Sequence, residues 1–295
     1  MNDMFSIYDE NFNPITLPSD DLGYGLRGLD LNISSTSQEV TEHTIQGMPG
    51  NIITGFRDNN RDLSINARLK AQDATDFRLK RDRVFAFFKR LGTFYVTEKQ
   101  QGNKLMKVRV VESYTFQRPE NLRTYATVEI PLKIVGQPYW ISRYKSMDLH
   151  NSNGVPMNGH WSFGMGLEVN PDKLVYKYEN APTFNIFNAG TVPIKTIQEK
   201  DNCIITIEIK ESVLNFKLFD GTGRYLEYNP SNKVSWTLID GHKIILNGHY
   251  MTVDELPILE RTNRYYLNLF PGDNIFTIEG LSNYIISFDF RFKYD

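Results

Sequence analysis

The residue types that most often carry chemistry are few and scattered in this 295-residue chain. The five histidines are His43, His150, His160, His242 and His249, and none sits in an HExxH or similar ligand motif. His242 and His249 flank one expected hairpin, which accounts for them without a metal. The single cysteine, Cys203, lies inside the apolar run Cys203–Ile209 and is expected to be a buried thiol, so a Cys–His nucleophile pair is disfavoured. The letters Gly23-Tyr24-Gly25-Leu26-Arg27-Gly28 match GxGxxG. No helix follows them, and a dinucleotide fingerprint needs a helix N-terminus to hold the pyrophosphate. GxSxG and the P-loop are absent, and carboxylates such as Asp20, Asp21 and Asp289 are not singled out as an acid–base pair. The chain is not expected to be an enzyme or to carry a cofactor or metal.

Two clusters remain as binding candidates. Residues 61–90 hold nine Lys/Arg against four Asp/Glu, interleaved with Phe77, Val84, Phe85 and Phe88. That interleaving suits a packed helix with a solvated or subunit-contacting basic face better than one that reads DNA. Trp161, Trp236, Tyr225 and Tyr228 are the second cluster, a possible stacking platform for a sugar.

The element that organises the chain is Arg61–Val96. Leu63, Ile65, Ala67 and Leu69 alternate with polar residues, the period of a strand with one buried face. Asp73 or Asp76 can cap a helix whose apolar positions are Phe77, Val84, Phe85, Phe88 and Leu91. Gly92 ends it, and Thr93–Thr97 returns to strand. No other long amphipathic helix is expected.

Before this unit, Met1–Asp21 is expected to form an edge strand or arm, and Leu22–Asn32 a strand entered through a bend, with Leu26, Leu29, Leu31 and Ile33 on it. Ser34–Thr44 mixes strand with loop, and Gly47–Arg57 places a turn before Ile52 and Ile53. After it come a β-hairpin, Thr93–Thr97 and Leu105–Glu112 about the tip Glu98–Lys104, and strands over Ser113–Arg118 and Ala126–Val135. Ser146–Gly159 is polar, glycine-containing and aperiodic, so the domain boundary falls there: residues 1–145 and 146–295. The second part alternates short strands, among them Trp161–Val169, Leu174–Tyr178, Leu214–Leu218, Val234–Ile239, Tyr265–Phe270 and Tyr284–Phe292, with turn pairs such as Asp240-Gly241 and Asn247-Gly248. Such spacing without helix means an antiparallel sandwich or jelly roll.

Composition is that of a globular protein, with 23% charged and 40% hydrophobic residues. The 19 Phe and 16 Tyr suit pleated, half-buried surfaces. A net charge of -2 disfavours a surface built wholly to grip nucleic acid. With one cysteine there is no internal disulfide, and with no signal-like apolar run and no stretch that could span a bilayer, a soluble protein made without Sec-type export is expected.

The order of short motifs resembles the distal tail protein (Dit) family of siphophages that infect Gram-positive bacteria. In the first part the resemblance runs from Gly25-Leu26-Arg27-Gly28 through Arg61–Leu69 and the helix to Val135-Gly136-Gln137-Pro138-Tyr139-Trp140. In the second it rests on Phe187-Asn188-Ala189-Gly190, Val192-Pro193, Leu238-Ile239-Asp240, Ile245-Leu246-Asn247-Gly248, Leu269-Phe270-Pro271-Gly272-Asp273-Asn274 and the closing Ile286–Tyr294. It departs from the family at the polar Gln198–Asp201.

The resemblance implies a mainly β protein: an N-terminal ring domain with one amphipathic helix and a β-hairpin, and a C-terminal galectin-like antiparallel sandwich. It implies a homohexameric ring at the virion tail tip, assembled in the host bacterial cytoplasm. The ring would join the tail tube protein to the tail-associated lysin or tail tip protein, anchor receptor-binding proteins, and pass DNA without sequence readout. No membrane insertion is implied. The helix and the Thr93–Glu112 hairpin would reach a neighbour, with Arg78, Arg81, Lys89, Lys99 and Lys104 as interface residues. The second reading is a module that binds cell-wall carbohydrate through the sandwich.

Overall fold

A computed structural model describes residues 3–120, 122–153, 161, 164–167, 171–229 and 236–295. They fall into two compact units, Met1–Trp140 with Asp295, and Ile141–Tyr294.

In the first unit the strands are β1 (Phe5–Tyr8), β2 (Pro14–Ile15), β3 (Gly25–Ile33), β4 (Gln38–Thr44), β5 (Asn51–Asp58) and β6 (Leu63–Lys70). Helix α1 (Ala74–Leu91), β7 (Thr93–Glu98), β8 (Lys104–Arg109) and β9 (Tyr125–Ile134) follow. The main sheet runs β2-β1-β7-β8-β9-β6-β3, with antiparallel neighbours throughout. Strand β6 is paired on both edges, to β3 and β9, and its alternation is the expected one: Leu63, Ile65, Ala67 and Leu69 are buried. Val128, Ile130 and Leu132 of β9 continue the same apolar layer.

The sheet curls until its far members meet. The Phe5 ring of β1 lies where a Cβ on Gly28 would stand, 2.4 Å from its nearest ring carbon, and the Asp3 carboxylate accepts the Gly28 N–H at 2.9 Å. Gly28 also opens a bulge in β3 that ends at Asp30. The bulge breaks the period of two. Leu26 and Leu31 therefore stay buried while Leu29, inside the bulge, is exposed.

Asp73 caps α1, accepting from the Thr75 and Asp76 N–H groups at 2.7 and 2.8 Å, and Gly92 ends it at φ 67°. Phe77, Val84 and Phe88 form the buried stripe. Phe85, expected in that stripe, is 38% exposed, and Leu91 is half-buried. Ser113–Arg118, expected as a strand, pairs only through a bridge from Gln117 to Thr127. Its Tyr114 and Phe116 rings turn to α1 instead, within 5.4 and 5.7 Å of the Phe85 ring centroid.

The β4–β5 hairpin stands outside the sheet as a two-stranded ribbon, prolonging the β3–β6 hairpin beyond the Ile33–Leu63 pair. At its base Tyr139 donates to the Asp58 carboxylate, which also accepts from Gln38 Nε2 at 2.9 Å. The Arg61 guanidinium is buried beside it and donates at 2.5 Å to both Thr36 Oγ1 and Asp295.

The second unit is an antiparallel sandwich. One sheet holds, in spatial order, Lys177–Glu179, Tyr284–Phe290, Cys203–Ile209, Lys243–Asn247, Tyr250–Val253 and Leu256–Pro257. The other holds Thr183–Asn188, Gly272–Glu279, Phe216–Phe219 and Tyr225–Tyr228. Phe276 of the second sheet meets Phe288 of the first at 5.0 Å between centroids.

The asparagines of the two turn motifs are polar pins inside this core. Asn188 Nδ2 donates to the Leu269 carbonyl and its Oδ1 accepts from Gly190; Asn274 Oδ1 accepts from the Phe270 N–H at 2.7 Å. At Gln198–Asp201 the chain makes no strand. A single 3₁₀ turn, Thr196–Gln198, leads to Glu199, which is buried in an ion pair with Lys293. Such a pair persists because each charge would be left uncompensated without the other.

Several expected strands are shorter or absent. Leu174–Tyr178 contributes only from Lys177, Leu214–Leu218 starts at Phe216, and Tyr265–Phe270 reduces to Asn268–Leu269. In Trp161–Val169, residues 161 and 164–167 are not strand and the others lie outside the described residues. Val234 and Val234's neighbour Ser235 are also outside them, and Leu238 makes one bridge to Val213. Ser146–Asn151, expected as loop, is a short helix, while residues 154–159 and His160 are not described.

Phe88→Ala is expected to cost about 3–5 kcal/mol in urea unfolding, the range for emptying a buried aromatic site. Phe85→Ala is expected to cost about 1 kcal/mol, since its ring is partly solvated and loses chiefly its aromatic partners. A second expectation concerns the ribbon base. The Tyr139 hydrogen bond and then Gln38 lower the Asp58 pKa below 3.8; burial and Asp58 push the Tyr139 phenol up to about 12. The depressed carboxylate stabilises the fold above pH 3.8, an effect lost as pH falls through its folded value. The raised phenol stabilises it below pH 10.0, an effect lost as pH climbs to about 12. The stability advantage of the wild type over Tyr139→Phe should therefore be flat between those limits and shrink at both ends in urea titrations across pH.

Candidate assembly surface

No group of His, Cys, Asp and Glu among the described residues is arranged to hold a metal ion. The Gly23–Gly28 letters feed strand β3, and Gly25 (φ 112°) lets the chain pass Pro18, so these glycines serve close backbone approach. Burial pushes the Cys203 thiol well above its ordinary pKa, which keeps it protonated and inert. Of the described residues, no helix is long and apolar enough to cross a membrane.

The four aromatics of the expected sugar platform do not form one. Trp161 is 8% exposed and packs on Tyr144 and Phe292, within the core. Tyr228 is buried, stacks on Phe216 and donates its hydroxyl to the Trp236 carbonyl at 2.8 Å. A ring with no solvent-facing side has no face for a sugar. Trp236 and Tyr225 are half-buried, and each already has neighbours over its ring: Arg261 and His242 on Trp236, Lys217 and Phe219 on Tyr225.

The basic candidates divide as well. Arg78, Arg81, Phe85 and Lys89 follow one another along one stripe of α1, with the Arg81 guanidinium 5.9 Å from the Phe85 ring centroid. Arg78, Phe85 and Lys89 are exposed and Arg81 is half-exposed; Leu79 beside them is 57% exposed. Arg81 pairs with Asp82 at 2.9 Å, and Lys80 is bound to Asp76 and Asp20. Lys99 lies exposed at the β7–β8 turn, and Lys104 begins β8, where burial lowers its pKa. Strands β7 and β8 are interior members of the sheet, β7 between β1 and β8 and β8 between β7 and β9. The Thr93–Glu112 hairpin is therefore not a free arm.

The projecting hairpin is the β4–β5 ribbon, which sequence reasoning passed over. Its strands are exposed almost throughout, yet Val40, Ile45, Met48, Ile52, Ile53 and Phe56 are apolar, and Phe56 is 66% exposed. Val40 and Phe56 stand directly opposite on one face. The signal available was the pair of Gly-flanked β-branched runs with no alternation, which fits a strand with water on both faces and no core beneath it.

Comparison with known proteins bears on the fold. Residues 27–134 match the family model of the phage tail protein RIFT-related domain. The crystal structure of the SPP1 Dit protein, described as a paradigm of the hub adsorption apparatus in phages infecting Gram-positive hosts, superposes with a TM-score of 0.56. The two share 13% identity over 98% of this chain and 99% of that one. Chains of the phage p2 baseplate in its activated conformation, with Sr or with Ca, match at 10% identity over 97% of each chain, with a TM-score of 0.39 that carries no argument. No curated protein matches in sequence. Residues 27–134 thus match a phage tail protein RIFT-related domain, and the whole chain shares the fold of the SPP1 Dit protein.

Proposed function

We propose that the protein is the distal tail, or baseplate hub, protein of a phage with a long non-contractile tail, acting as a scaffold without enzymatic activity. The observation that carries this reading is the end-to-end likeness in fold to the SPP1 hub protein, joined to the tail-protein domain at residues 27–134. In this reading residues 1–145 form a homohexameric ring at the virion tail tip, and residues 146–295 form the galectin-like sandwich at its rim. The ring joins the tail tube protein above to the lysin or tail tip protein below and anchors receptor-binding proteins. DNA passes through its lumen with no base readout, and the ring is put together in the host cytoplasm. A cyclic ring needs two different patches per subunit, which supports assigning work to both the α1 stripe and the ribbon.

The carbohydrate-binding reading gains no support from the buried Trp161 and Tyr228. Light scattering behind size exclusion is expected to give a mass close to six times the 34.2 kDa chain. Immunogold labelling of purified virions should decorate the tail tip; labelling confined to the capsid or absent from particles would sink the hub assignment.

A further inference from the structure

Strand β6 sets two arginines against each other. Arg27 of β3 and Arg68 of β6 are directly opposite in the antiparallel register, just before the bulge at Gly28. Cβ atoms so placed stand about 5 Å apart, and like charges there repel. The pair cannot relax by slipping, because β6 is held on its other edge by β9. Both side chains are half-buried, so water screens them only in part. Lys70, two residues along β6 on the same face, adds a third positive charge.

The carboxylates at neighbouring positions are engaged elsewhere. Asp30 accepts the Leu31 N–H at 2.9 Å, and Glu129 accepts the Ser64 hydroxyl at 2.7 Å. Asp3 and Asp20, which line an open cavity with Arg27, are held by the Gly28 N–H and by Lys80. Among the described residues neither the Arg27 nor the Arg68 guanidinium has an ion-pair or hydrogen-bond partner. The counter-charge this pair lacks must come from outside the chain.

We infer that Arg27 and Arg68, with Lys70, form a binding site for a dianionic phosphate group, either the free ion or a terminal monoester. Each guanidinium presents a planar fork of N–H donors that fits two oxygens. A tetrahedral phosphate has oxygens for both forks and charge for both cations, whereas one fork occupies a carboxylate. The Thr127 side chain, opposite Arg68 on β9, brings a hydroxyl to the same face. The site lies within one subunit and does not depend on the ring reading.

Isothermal titration with inorganic phosphate, at ionic strength fixed with sodium chloride, should show one site per chain. Arg27→Gln and Arg68→Gln should each weaken it at least about tenfold, the loss of a charge-assisted hydrogen bond. Arg68→Lys keeps the charge without the fork and should fall between the wild type and Arg68→Gln. Arg109 and Lys133 are also directly opposite, on β8 and β9, but both are exposed, and Lys133→Gln should leave the titration unchanged. In phosphate-free buffer of low salt, Arg68→Gln should melt no lower than the wild type, because it removes a repulsion. A residue that only braced the sheet would melt lower with or without phosphate.

Glycerol phosphate separates the two sources: tighter binding than the free ion marks a monoester ligand, and weaker binding marks phosphate itself. No phosphate site in the wild type, or a site that survives both glutamine substitutions, would overturn the inference. So would a DNA duplex without terminal phosphates that binds through the same arginines more tightly than phosphate does, since the face would then be a nucleic-acid contact.

Discussion

Strand β6 is the constraint on which the first unit depends. It is hydrogen-bonded on both edges and buried on one face, so a shift of one residue would break two ladders and turn Leu63, Ile65, Ala67 and Leu69 to the wrong side. With its register fixed, the direction in which the chain leaves at each end is fixed as well. At Lys70 it turns into α1 under the Asp73 cap; at Leu63 it comes in from the ribbon past the buried Arg61. The sandwich depends on an analogous but polar constraint. Asn188 and Asn274 satisfy backbone groups in the core that no strand partner reaches, which fixes how the Thr183–Asn188 and Gly272–Glu279 strands begin and end.

What the sequence disclosed follows from periodicity and caps. β6, α1, the β7–β8 hairpin and most sandwich strands are legible because their apolar residues recur at the spacing of a buried face, or because Asp73, Gly92 and the Asn-Gly and Asp-Gly pairs mark their ends. The order of turn motifs was legible for a physical reason too: the N-x-G and Pro-Gly-Asp-Asn signatures are the buried side-chain pins themselves. What stayed hidden lacks a local cause. Phe85 has helical spacing but lies where Tyr114 and Phe116 arrive from a distant segment. Leu29 fails to point inward because a bulge beside Gly28 shifts the register.

The candidate site was half legible. The stripe Arg78, Arg81 and Lys89 stands out as basic positions on a helix that must bury its other face, and the structure leaves them on the surface. The ribbon did not stand out, since two-sided exposure erases the alternation that marks a strand. The aromatic platform failed because burial is set by the whole sandwich: Trp161 and Tyr228 are core rings, and composition cannot separate them from surface ones.

A two-stranded ribbon with water on both faces has little of its own to hold it shut. Its backbone bonds are the ones expected to open without the rest of the molecule unfolding, so its amide protons should trade with solvent long before those of β6. Such an element is ordered by what it touches. A lone subunit would then present a frayed, exchangeable strand pair, and the ordering cost would fall at the moment a neighbour arrives. Where such a pair meets a neighbour, binding and the completion of its fold are a single event.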